Sequence, residues 1–356
     1  MTPRTVLTLT IAALITTGAG VWLATRQSSP AGGERALLYP QLQEQLDAVQ
    51  ALRIFKAGDS RTVEIARKDG SWAVSERAGY PADEAKLRKF LRGLAEARVL
   101  EEKTSNAKNY HSLGVEDVKE PNAGGVRVEL TAAPSAVNLI VGKTGPGARS
   151  QYVRRAGEVH SWLIDANLDA SASPEAWLRK EILDVSADRI QSASITVNQQ
   201  KGYTAAKATR ADANFTIADL PRGRKPSSPS AANGVAAALA GLTLSDVQPA
   251  SAFEGAAPAA RATFTTFDGL IVQLQGWSRD DKRFLAVQTS YDPQLAERFK
   301  VATTPSEKSP DGQEGRKANA AEDAKTTNAR AAGWVYEIPS YKYEQIFTPL
   351  ASLLSS

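Results

Sequence analysis

Residues 5–25 carry no charge and are bounded by Arg4 and Arg26; beyond them, apolar positions alternate with polar ones and then recur every three or four residues. At about 1.5 Å per helical residue the uncharged run spans about 31 Å, the depth of a bilayer's hydrocarbon core. In lipid every backbone amide needs an internal partner, so such a run crosses only as a helix. Its apolar side chains are Val6, Leu7, Leu9, Ile11, Leu14, Ile15, Val21, Trp22 and Leu23. Thr5, Thr8, Thr10, Thr16, Thr17 and Thr25 dilute it, although a helical threonine can return its hydroxyl proton to a carbonyl one turn back. A cleaved signal peptide would use the small residues Thr17, Gly18, Ala19 and Gly20 as its processing site. Against this, Val21-Trp22-Leu23-Ala24 carries the apolar run past that point, and Trp22 suits an interface. A buried core helix is the third reading, but such helices rarely lack charge over this length. The pattern predicts a single-span anchor over residues 1–26 and a Ser/Pro/Ala/Gly linker over 27–36.

From residue 37 the pattern is that of a folded body. Leu52, Ile54 and Phe55 begin a strand, and Val63, Ile65 and Ala66 make a second across the turn Gly58-Asp59-Ser60. Asp69-Gly70 is a hairpin signal ahead of Trp72-Ala73-Val74. Pro81-Ala82-Asp83 opens a helix, with Asp83 placed to accept the free first-turn amides. Leu87, Phe90, Leu91, Leu94 and Ala97 form one stripe that can close over the meander. Strand patterns follow at 126–130, 137–141, 152–153 and 162–164, and Trp177-Leu178 belongs to a short helix or turn before Ile182-Leu183.

The same order then returns, Ile195 following Ile54 by about 140 residues. Phe215-Thr216-Ile217 answers Trp72-Ala73-Val74, and Val235, Leu239, Gly241 and Leu242 echo the helix residues Leu87, Leu91, Gly93 and Leu94. Phe264, Leu270-Ile271-Val272, Gly276, Phe284 to Val287 and Trp334-Val335-Tyr336 answer the later strands. An offset that drifts with loop length suits an old duplication better than a solenoid, whose repeats are about 20–50 residues. The expected fold is therefore α+β: a transmembrane helix, then two tandem copies of a mainly antiparallel β-meander plus helix module over residues 37–188 and 189–356. Residues 221–230 are a polar loop. Residues 303–333, rich in Lys, Glu, Ala, Asn and Gly, lack apolar periodicity and are expected to be disordered.

Composition narrows the class only a little. With 42% hydrophobic and 23% charged residues, the body reads as globular. The 43 basic and 39 acidic residues, net +4, are too even for a nucleic-acid footprint. Arg4 precedes the anchor while Arg26 and Arg35 follow it, so charge does not fix its direction. A tail of a few residues ahead of the first apolar run favours a cytoplasmic N-terminus, an inner-membrane span and a periplasmic body. The absence of cysteine excludes disulfides and a lipid-modified cysteine.

Candidate chemistry is sparse. Val141-Gly142-Lys143-Thr144 lacks the earlier glycine of a phosphate loop, since Val137 stands there, so it reads as a strand ending in a glycine turn with an exposed lysine. His111 and His160 are the only histidines, which all but excludes a zinc site of ordinary composition. No Gly-x-Ser-x-Gly elbow exists. The neighbours Glu101-Glu102 and Asp280-Asp281 read as solvated turn or helix-end charges. Arg222, Arg224 and Lys225 form a basic cluster suited to lipid headgroups or a partner, each basic residue being worth about 1 kcal/mol near a membrane surface. Trp72, Trp162, Trp177, Trp277 and Trp334 read as core, or as an aromatic groove for a glycan or peptide. No catalytic set, cofactor site or metal site is assigned.

Several local motifs occur in a telling order: Leu38-Tyr39-Pro40, Asp69-Gly70-Ser71-Trp72-Ala73-Val74, Ala82-Asp83, Tyr110 with Leu113-Gly114, Val141-Gly142-Lys143, and Tyr152-Val153-Arg154. In these marks the chain resembles the bacterial family named domain of unknown function 4340, well over residues 37–184 and more weakly beyond. The resemblance implies a membrane-tethered envelope protein associated with ABC-type transport components of the gliding-motility-auxiliary kind, with permease and auxiliary subunits as partners. It transfers no catalytic residue. The expected function is that of a non-enzymatic accessory protein; a stand-alone periplasmic module binding an envelope glycan or peptide is the alternative, and an envelope hydrolase the last choice.

Overall fold

The computed structural model describes residues 35–132, 136–147, 149–198, 200–218, 220–299 and 319–355. The nine anchor side chains from Val6 to Leu23 lie outside these residues. Among the described residues no helix is long and apolar enough to cross a membrane.

Alternation of side chains across the pleat builds the first sheet. Its strands are β1 (Val49–Lys56), β2 (Ser60–Lys68), β3 (Ser71–Val74), β4 (Tyr80–Pro81), β5 (Val99–Thr104), β6 (Val126–Ala132), β7 (Val137–Thr144), β8 (Gln151–Arg155) and β9 (Ser161–Ile164). They lie in the order β4-β3-β2-β1-β6-β7-β8-β9-β5. Leu52, Ile54, Val63, Ile65 and Val74 point to one face and are fully buried there. The helix Glu84–Glu96 covers that face with Leu87, Phe90, Leu91 and Leu94. Its N-cap is Asp83, whose Oδ1 accepts from the Lys86 amide at 3.0 Å. Burying each such leucine fully is worth about 1.5–3 kcal/mol.

A short pair, β10 (Glu181–Leu183) and β14 (Leu242–Thr243), links the first sheet to the second. The second sheet consists of β11 (Ile190–Val197), β12 (Tyr203–Ala206), β13 (Thr216–Ile217), β15 (Asp246–Pro249), β16 (Ala260–Thr266), β17 (Leu270–Arg279), β18 (Lys282–Tyr291) and β19 (Trp334–Ile338). Its order, β13-β12-β11-β16-β17-β18-β19-β15, repeats that of the first sheet from β3 onward. In both, a strand lying after the helical segment, β5 in the first and β15 in the second, takes the far edge. The protein is thus mixed α+β with antiparallel sheets, and one apolar cluster runs through both.

Three expectations need correction. Glu101 and Glu102 sit on the edge strand β5 rather than in a turn or helix end, and register breaks on either side of them accommodate two adjacent exposed carboxylates. The second helix is only Asn233–Ala236 followed by a 3-10 turn, Ala237–Leu239; Gly241 is left-handed at φ 56° and Leu242 already belongs to β14. The small side chains around Gly234 supply little apolar area to sustain a longer helix.

The third concerns the segment expected to be disordered. Residues 303–318 lie outside the described set, but Ala320–Ala331 is a helix capped by Asn319. Its buried stripe is Ala320, Ala324, Thr327 and Ala331, small residues that let the helix lie close on β18 and that give little hydrophobic signal. Asn328 completes the docking by pairing with the backbone of Thr289, accepting from its amide at 2.7 Å and donating to its carbonyl at 2.6 Å.

The halves are joined by buried aromatics and charge. Tyr80 meets Trp334 edge-on, and Tyr336 lies 6.3 Å from the Tyr80 ring. Arg77 holds Asp246 with two hydrogen bonds, 2.6 and 3.0 Å, and also pairs with Glu175. Trp177 is fully buried and Trp72, Trp162 and Trp334 are half-buried, so the aromatics expected to form either core or groove are spent on packing.

Candidate functional site

The face of β7 and β8 opposite the helix carries the site. Because side chains alternate along both strands, their residues divide cleanly: Leu139, Val141 and Val153 enter the core, while Ile140, Gly142, Tyr152 and Arg154 face outward. Register places Ile140 directly opposite Arg154. The connection from β5 to β6 folds over this face, with Tyr110, Leu113 and Val115 packing on Ile140 and Tyr152.

Two glycines permit that close cover. A Cβ at Gly142 would collide with the carbonyl oxygens of Leu113 and Gly114 and stand 2.8 Å from Val115 Cγ1; one at Gly125 would strike the Gly114 carbonyl. Gly114, left-handed at φ 69°, ends the short helix Tyr110–Leu113. Lys143 then donates to the carbonyls of His111 and Ser112 at 3.1 and 3.2 Å. The lysine that follows Gly142 is therefore a clamp on a helix end. His111 sits in that helix.

The covering segment lines a cavity of about 420 Å³ with Ala107, Tyr110, His111, Glu116, Asp117, Glu120 and Asn122, and β8 adds Arg154. Arg154 is almost fully buried, its residue exposure being 5%. Its Nε donates to the Val115 carbonyl at 2.7 Å and its Nη1 to the Glu158 carbonyl at 2.8 Å, and its Cζ lies 4.6 Å from the centre of the Tyr110 ring. Tyr110 in turn donates to the Val159 carbonyl. In the same lining, His111 Nδ1 and Glu116 Oε1 are 2.5 Å apart. Burial works against ionisation of Glu116, yet its own backbone N–H, the His111 side chain and the Gly124 N–H outweigh it and hold the carboxyl below the usual glutamate range.

Residues 72–261 match the family described as Domain of unknown function (DUF4340). The chain belongs to this family. The DUF4340 segment starts in β3 and ends in β16, so it contains every residue that lines the cavity. No curated protein and no solved structure matches the chain.

The corresponding face of the second sheet carries an aromatic cluster. There the connection from β15 to β16 lays Phe253 on Trp277 and Phe284, with ring centroids 5.2 and 5.1 Å apart, and Val335 completes the cluster. Trp277 donates to the Ala256 carbonyl at 3.0 Å. This aromatic plug is the counterpart of the Tyr110, Val115 and Ile140 cluster on the first sheet.

The basic cluster Arg222, Arg224 and Lys225 is exposed and does not line the cavity. Its loop is tied to the last described residues, where Pro226 bridges Leu354 and the Lys225 carbonyl accepts from the Ser355 amide at 2.9 Å. His160 stands 3.3 Å from Glu102 on the β5–β9 edge. Asp280 and Asp281 make the left-handed turn between β17 and β18, at φ 47° and 62°. Arg154 and the His111–Glu116 pair were not legible as a site. The histidine and the glutamate are five residues apart across a left-handed glycine, a spacing that no helical rule brings together.

Proposed function

We propose that this DUF4340 protein works by binding: a non-enzymatic envelope protein, held by one N-terminal span at the inner membrane with its body in the periplasm, and accessory to an ABC-type transport complex. Its body consists of two copies of one module, and the first copy carries the binding site. The observation behind this is the cavity on the first sheet, whose lining includes a buried arginine, where the equivalent face of the second sheet carries the cluster of Phe253, Trp277 and Phe284. The transport link rests on the family resemblance. The test is purification of the full chain from mild detergent: transporter permease and auxiliary subunits accompany it if the reading holds, and their repeated absence overturns it. A periplasm-dependent reporter fused after Ser356 checks the direction, being active on this reading and silent on the reverse one.

One observation favours an envelope hydrolase as a second reading. Glu116 is placed to orient the His111 ring beside an open cavity, the arrangement of a general base that activates water. The cavity lining offers no serine or threonine nucleophile, and its one hydroxyl, on Tyr110, is engaged by the Val159 carbonyl. Turnover of an envelope ester or amide that vanishes in His111→Gln would favour this reading over binding alone.

A further inference from the structure

A guanidinium removed from water is stable only when its charge and its N–H groups are answered. Arg154 is only 5% exposed, and no carboxylate among the described residues lies within ion-pairing reach of it. Two of its five N–H groups go to the carbonyls of Val115 and Glu158; Nη2 has no hydrogen-bond partner among the described residues and keeps contact with solvent, so it is the end of the buried side chain that a ligand can reach. Its stacking on Tyr110 fixes the guanidinium while the side chain contributes to the cavity wall. Glu116, which shares the wall, is committed to His111. What remains is a held cation with donors to spare, matching the planar two-oxygen geometry of a carboxylate.

The same cavity carries Asp117 and Glu120, neither of which forms an ion pair among the described residues; Asp117 is half-buried and Glu120 exposed. A plain anion on Arg154 would meet their repulsion. A ligand bearing a carboxylate at one end and an ammonium at the other would satisfy both groups. A volume of about 420 Å³ is within the range of small-ligand sites and has room for two or three amino-acid residues.

Building on the binding reading above, we propose that the cavity is a site for a short peptide with free termini, its carboxylate on Arg154 and its ammonium toward Asp117 and Glu120. Asn122 supplies an amide at the exposed side of the same wall.

The test is calorimetric titration of the full chain in mild detergent with dialanine, dialanine amide, N-acetyl-dialanine and acetate. Dialanine binds; amidation weakens it by about tenfold or more, the loss expected when a charged hydrogen-bond partner is removed. Acetylation weakens it less, and acetate binds poorly. Arg154→Gln abolishes binding of dialanine. Because that variant removes a buried side chain, Asp117→Asn, a half-exposed change, provides an independent check: it narrows the gap between dialanine and N-acetyl-dialanine. Equal binding of dialanine and its amide, or no binding of dialanine by the wild type, overturns the proposal. Transporter subunits that still accompany the Arg154→Gln chain would separate that failure from failure of the accessory reading.

Discussion

Tyr80, on the edge strand β4 of the first sheet, meets the ring of Trp334, on β19 of the second, at 5.1 Å and 88°. Edge-to-face pairs add about 0.5–1.5 kcal/mol beyond their buried area. Because Tyr80 is fully buried, Tyr80→Ala should cost on the order of 3 kcal/mol or more. Denaturant unfolding followed by hydrogen exchange should show the two sheets opening together in the wild type and separately in the variant.

Gly142→Ala should be among the most damaging single-methyl changes in the chain, because backbone carbonyls, which cannot swing aside, occupy the space. A loss of about 2 kcal/mol or more is expected from overpacking. Gly157 is the control: it is left-handed at φ 85° with nothing within 4 Å of a built Cβ, so Gly157→Ala should cost only the strain of about 1–2 kcal/mol. Thermal melts of the two variants test the ordering.

The carboxyl of Glu116 is held below the ordinary value of 4.5, so it binds a proton less readily folded than unfolded. Its contribution to stability is therefore complete above about pH 4.5 and is lost as pH falls through the depressed folded value. Glu116→Gln should be less stable than the wild type near neutrality, with the difference shrinking in acid. Unfolding free energies measured across that range would contradict this if the gap were constant or grew on acidification.

Asn319 caps the helix that docks on β18, accepting from the Glu322 amide at 3.4 Å. Asn319→Ala should weaken that helix by about 1 kcal/mol or less, given the long contact, and raise exchange at Thr289 and Asn328 before any other part of the second sheet.

Much of the scaffold was readable in the chain because its causes are local. Leu52, Ile54, Val63 and Ile65 alternate, Asp69-Gly70 turns, and Asp83 caps the helix at the place its spacing indicates. The edge strand β5 was not readable, since Glu101 and Glu102 break the alternation that marks a strand. The docked helix was hidden by alanines, which pack closely but score weakly. The cavity depended on long-range facts: which face of β8 presents Arg154, and how Gly142 lets the Leu113–Gly114 turn settle upon it. No spacing rule reports either.

The most direct test asks whether ligand or partner contact belongs to the first sheet alone. Asn122 and Glu254 are both exposed in the segments that cover equivalent faces, one over the cavity and one beside the aromatic plug. With a photo-crosslinking residue placed at each position in the full chain in living cells, a binding site confined to the first sheet gives specific adducts from position 122 and none from position 254. Equal adducts from both, or adducts from position 254 alone, would contradict it.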